Sequence, residues 1–136
     1  VVPGLPLMDQ SSRGKVTPEN ALVVGFVIGK SHGKVANKQY LLRVLGPSLS
    51  KFDIPTGLKN PRVSLTRNGK PFDHLMIDDR EFVETWSPKV GAFALVKESG
   101  EFLRRASLPA GNYSLTVEST NGESGDVLVE IYETAA

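Results

Sequence analysis

At 136 residues, with sixteen Lys and Arg against fifteen Asp and Glu, the chain has the size of one domain and a formal charge of +1. That balance gives no electrostatic case for a nucleic-acid or membrane-surface protein, and no apolar run approaches the roughly 18 residues that span a bilayer. The absence of cysteine excludes disulfides, thiolate metal sites and a cysteine nucleophile, but leaves the compartment open.

The first ten residues, VVPGLPLMDQ, form a segment of their own. Val1, Val2, Leu5, Leu7 and Met8 make it apolar, and Pro3 and Pro6 hold it extended. Such an arm needs cover. It can fold back on its own domain, or add to the next subunit as a strand or groove filler. Head-to-tail addition of that kind does not close and gives a fibre. The start at Val1 rather than methionine suits a mature protein after signal removal, so an exported protein is the expectation. The expected organisation is an arm over 1–10 and a β-sandwich domain over 11–136.

ALVVGFVIG (21–29) is apolar on both faces, the pattern of a central strand packed on both sides. It ends in Gly29-Lys30-Ser31, which raises the question of a phosphate loop. A loop of that type needs four residues between its first glycine and the Gly-Lys-Ser, then a helix whose N-terminus faces the phosphates. Here only Phe26, Val27 and Ile28 separate Gly25 from Gly29, all three read as strand residues, and HGKVANKQ carries no apolar stripe. The stretch GKSHGKVANK therefore reads as a long exposed hairpin loop. Its Lys30, His32, Lys34 and Lys38 keep a sheet end soluble, or else meet an anionic polymer or an acidic neighbour.

QYLLRVL (39–45) predicts the next strand, and GPS at 46–48 a turn without the glycine of a nucleophile elbow. PRVSLTRNGKPF (61–72) alternates and then turns at Asn68-Gly69, the strongest short hairpin signal. IDDREFVE gathers Asp78, Asp79, Glu81 and Glu84. Clustered oxygens of this kind are calcium candidates, with Asp78, Asp79 and Glu81 the ligands to consider. The spacing matches no EF-hand and Arg80 is a ready ion-pair partner, so an acidic structural turn is the leading reading. Trp86 is a candidate for stacking on a sugar ring, set against a core or rim role. His32 and His74 lie in unrelated contexts, neither with a second histidine at ligand spacing.

SPKVGAFALVKES (87–99) alone has helical spacing, so at most one short helix near 88–97 is expected. EFLRRASL (101–108), NYSLTVEST (112–120) and GDVLVEIYE (125–133) are strands separated by turns at Pro109-Ala110-Gly111 and Asn121-Gly122. Tyr113 in LPAGNY looks like a tyrosine corner, its hydroxyl bonding back to the turn. The fold expected is all-β: a β-sandwich or jelly roll of about seven or eight mostly antiparallel strands.

SSRGKV (11–16), LVVGFVIG (22–29), YLLRVLGPSLSKFDI (40–54), LKNPRVSL (58–65), GAFAL (91–95), LPAGNYSLTVES (108–119) and GDVLVEIYE (125–133) follow one order. This order resembles an uncharacterised β-rich domain family of large exported bacterial proteins. The resemblance covers nearly the whole chain after about residue 10 and implies an extracellular sandwich module without known catalytic residues. IDDREFVETW departs from the Asn-Asp-Asp-Trp-like turn often found in that family, which weakens a ligand role there. The function expected is a secreted or cell-surface, non-enzymatic structural or interaction subunit, with self-assembly into fibres through the arm as its route to larger structures. No cofactor, nucleic-acid or membrane-insertion role is expected. The alternative is a carbohydrate- or calcium-binding accessory module using Trp86 and the acidic stretch.

Overall fold

The computed structural model describes residues 9–29, 37–54, 56–73, 76–90, 92 and 101–134. Among them the chain forms β1 (Asp9–Val16), β2 (Leu22–Ile28), β3 (Asn37–Leu45), a 3-10 helix (Pro47–Phe52), β4 (Arg62–Arg67), β5 (Lys70–Pro71), β6 (Met76–Ile77), α1 (Arg80–Lys89), β7 (Phe102–Pro109), β8 (Gly111–Glu118) and β9 (Gly125–Glu133). Two antiparallel sheets result, one in the order β1-β9-β3-β7-β6 and the other β2-β8-β4-β5. They pack as the expected β-sandwich.

The period of two along each strand builds the core between the sheets. Val24, Phe26 and Ile28 of β2 and Tyr113, Leu115 and Val117 of β8 face Tyr40, Leu42 and Val44 of β3 and Val127, Val129 and Ile131 of β9. Phe26 stacks on Tyr113, its cross-strand partner, at 5.1 Å between ring centroids. The Tyr113 hydroxyl donates to the Pro109 carbonyl at 2.5 Å, the tyrosine corner expected from LPAGNY.

Asn68 and Gly69 adopt φ of 51° and 82°, and β4 and β5 pair across them as the expected hairpin. The other connection that reads as a hairpin is different. β2 and β3 belong to different sheets, so they are not the two arms of one hairpin. Residues 30–36 of that connection, with Lys30, His32 and Lys34, lie outside the described residues, as do His74 and residues 93–100.

Two further expectations change. The described helix stands at 80–89 and meets the expected stretch 88–97 only at its end, while residues 91 and 93–97 of that stretch lie outside the described residues. Asp79 caps it, its carboxylate accepting from the Phe82 backbone N–H at 3.1 Å, with Glu81 in the first turn and Lys89 in the last. Phe82, Val83, Trp86 and Val90 fall on one face, and they pack with Leu41, Leu103 and Tyr132 on the outer face of the five-stranded sheet. The second change concerns β2. Among the described residues it is an edge strand, and its outward face is open: Val23 is 59% and Val27 69% exposed. The strand buried on both faces is β3, where Leu41, Arg43 and Leu45 on one side are as buried as Tyr40, Leu42 and Val44 on the other.

Candidate protein-association edge

The two sheets have four edges among the described residues: β1, β6, β2 and β5. An unpaired edge offers a row of N–H and C=O groups to any extended chain, and proteins blunt such edges by shortness, charge or proline. β5 is two residues long and reads Lys70-Pro71; β6 is also two residues long. β1 carries the exposed charges Arg13 and Lys15. β2 has none of these protections. Its seven residues, LVVGFVI, contain no charge and no proline, and Val23, Gly25 and Val27 alternate along its exposed face.

Beside the far end of β2 lies a cleft of about 210 Å³, lined by Gln10, Lys38, Tyr40 and Glu133 together with Val27, Ile28 and Gly29. Lys38, a loop residue by its sequence context, stands in β3 with its Nζ 3.5 Å from Glu133 Oε2. Burial, with the negative charge of Glu133 nearby, pushes the Tyr40 hydroxyl up to about 12. An unfolded Tyr40 ionises near pH 10, so the raised folded value leaves stability unaffected below pH 10 and erodes it from there to about pH 12. The wild-type chain is therefore expected to lose about 2 kcal/mol more than Tyr40→Phe over that window. Urea unfolding of both proteins at pH 9 and pH 11.5 checks this.

Of the acidic stretch, Asp79 has structural work. Asp79 caps α1 and its Oδ2 stands 3.1 Å from Arg105 Nε; Asp78 is exposed, 3.9 Å from Arg104. Glu81 lies on the exposed first turn of α1. Among the described residues no group of three or more His, Cys, Asp or Glu side chains is placed to hold a metal. Trp86 is half-buried in the cluster between α1 and the sheet, tilted against Phe82 at 6.2 Å with the Lys89 ammonium 4.8 Å above its ring. The arm residues Val1, Val2, Leu5, Leu7 and Met8 lie outside the described residues, while Asp9 and Gln10 already stand in β1.

Sequence reasoning missed the edge itself. A strand apolar on both faces signals two-sided cover, but not whether the second cover comes from its own chain or from another.

No family model matches the chain, and no curated protein matches it. Among the described residues, no helix is long and apolar enough to cross a membrane.

Proposed function

We propose that this chain is an exported, non-enzymatic β-sandwich subunit of cell-surface or extracellular assemblies, built by association of copies of itself. The observation that carries this reading is the β2 edge, long, uncharged and faced with two exposed valines where the other three edges are charged or short. An edge of that composition draws a further strand. The motif order, which resembles that of exported bacterial sandwich modules, supports the location. The apolar arm supplies a second, head-to-tail contact, and a contact of that type propagates paired subunits into a filament.

Negative-stain electron microscopy with light scattering, on the intact chain and on a chain beginning at Asp9, tests the arm. That cut spares β1. The intact chain is expected to form filaments and the shortened chain to stop at small closed species. Filaments from both would remove the arm from the assembly. Monomers from both would sink the assembly reading.

A further inference from the structure

We infer that β2 pairs antiparallel with β2 of a second copy, about a two-fold axis midway between the two Gly25 residues, to join the two four-stranded sheets into one of eight strands. The inference rests on the assembly reading above and names its first contact. The occupant follows from the strand's own sequence. Antiparallel pairing that uses all seven residues, Leu22 to Ile28, sets Gly25 against Gly25 and Val23 against Val27 of the other copy. The two exposed valines, apart on one chain, then become direct cross-strand partners on the outer face, the pairing that stabilises a sheet. On the inner face Val24 meets Phe26 and Leu22 meets Ile28, so each core is extended by residues of its own kind. A slip by one residue would turn the buried face outward, and a slip by two would leave a valine of each copy unmatched.

The neighbouring edge agrees. β1 lies alongside β2 at the same side of the sandwich. Gly14 approaches Leu22 closely at one end, so that a Cβ there would stand 2.8 Å from Leu22 Cδ1, and Gln10 shares the cleft with Val27 and Ile28 at the other. Ser12 is thus level with Gly25, and the axis beside Gly25 also runs past the middle of β1. β1 carries its exposed charges, Arg13 and Lys15, towards one end. Apposed antiparallel about that axis, Lys15 of one copy and Lys15 of the other stand at opposite ends of the pair, so like charges are spread apart. The lopsided charge of β1 and the absence of charge on β2 therefore fit the same partner, a second copy of this chain. Such an isologous contact closes at two subunits.

The cysteine-free chain makes the register directly readable. Residues opposite each other in an antiparallel pair have Cα atoms about 4.5–5.5 Å apart, within the roughly 4.4–6.8 Å that a disulfide spans. A Cβ at Gly25 meets nothing closer than the Tyr113 carbonyl at 3.8 Å, so Gly25→Cys leaves the fold intact. Under mild oxidation Gly25→Cys is expected to become covalent dimer. Val23→Cys and Val27→Cys should each give little alone, yet cross-link when mixed. Val27→Lys, at an exposed position, should sediment as monomer where the unmodified chain beginning at Asp9 sediments as dimer.

Self-linking by Val27→Cys alone, or a Gly25→Cys protein that stays monomeric, would overturn the two-fold register. In a chain carrying both Leu5→Cys and Gly25→Cys, cross-linking between positions 5 and 25 in place of 25 to 25 would give the edge to the arm and equally overturn it. The arm's own failure looks different: filaments would survive its removal while the Gly25→Cys dimer formed as before.

Discussion

Gly46→Ala is expected to prevent folding or to cost about 4 kcal/mol or more, a large share of the roughly 5–15 kcal/mol that holds a domain together. A Cβ on Gly46 would stand 1.8 Å from the Leu58 carbonyl oxygen, and one on Gly57 would stand 1.9 Å from the Gly46 carbonyl oxygen. These obstacles are backbone, which cannot swing aside. The approach is locked from several sides. Leu58 N–H donates to the Asp126 carbonyl at 2.9 Å, and Asp126 N–H donates to the Thr56 carbonyl at 2.8 Å, tying the segment to β9. The Glu101 carboxylate accepts from the N–H groups of Gly46 and Ser48 at 2.9 and 3.1 Å and from the Ser48 hydroxyl, holding the start of the 3-10 helix. GPS is thus a joint between strand, helix and sheet. Gly29→Ala is the matched control: nothing lies within 4 Å of a Cβ there, and its effect is expected within about 0.5 kcal/mol. Thermal and urea unfolding of the two variants side by side gives the comparison.

Arg43→Ala is expected to destabilise by about 3–5 kcal/mol, the cost of leaving a buried charge without its partner. Arg43 and Glu130 stand side by side on β3 and β9, with Arg43 Nε 3.1 Å from Glu130 Oε1 and side-chain exposures of 0% and 5%. Burial lowers the pKa of the Arg43 guanidinium from its ordinary value, and the Glu130 carboxylate acts against that shift. The Tyr132 hydroxyl donates to the second Glu130 oxygen, so the carboxylate is placed from both sides. Removing the arginine leaves the buried Glu130 carboxylate without the opposite charge beside it. The pair itself is a different matter, because desolvation offsets most of the Coulomb attraction. Arg43→Met combined with Glu130→Leu should therefore recover most of the loss seen in Arg43→Ala. Urea unfolding of the single and double variants decides it, and a double variant as unstable as the single one would contradict that division.

The same pair explains what the sequence could and could not convey. β3 is the strand buried on both faces, yet nothing local in QYLLRVL says that its arginine is buried with the rest; its partner, 87 positions along the chain, becomes visible only when β3 and β9 pair. β2 shows the reverse. Its unbroken apolar run reads as central, and it stands at an edge, because hydrophobicity records that a face is to be covered and not by which chain. The C-terminal strands and the Asn68-Gly69 hairpin are legible because alternation and positive φ are local properties. β1 is not, since its inward positions are Gln10, Ser12 and Gly14 before Val16, a face too small and polar to register as a period of two. The described helix lies mostly upstream of the expected stretch for a related reason. Its acidic cap and first turn look like a metal-binding cluster, which masks the apolar face behind them, Phe82, Val83 and Trp86. Of the candidate sites, Asp79 and Trp86 have structural roles, and the association edge emerges only from sheet order.

The most direct measurement of the central claim is amide hydrogen exchange across β2 as a function of protein concentration. If copies join along this edge, the amides of Leu22 to Ile28 that point away from β8 should gain protection as concentration rises, while the Lys70 amide, the one that the short edge β5 has, exchanges at a constant rate. Exchange at β2 that is independent of concentration, in a chain that remains folded, would contradict association through this strand.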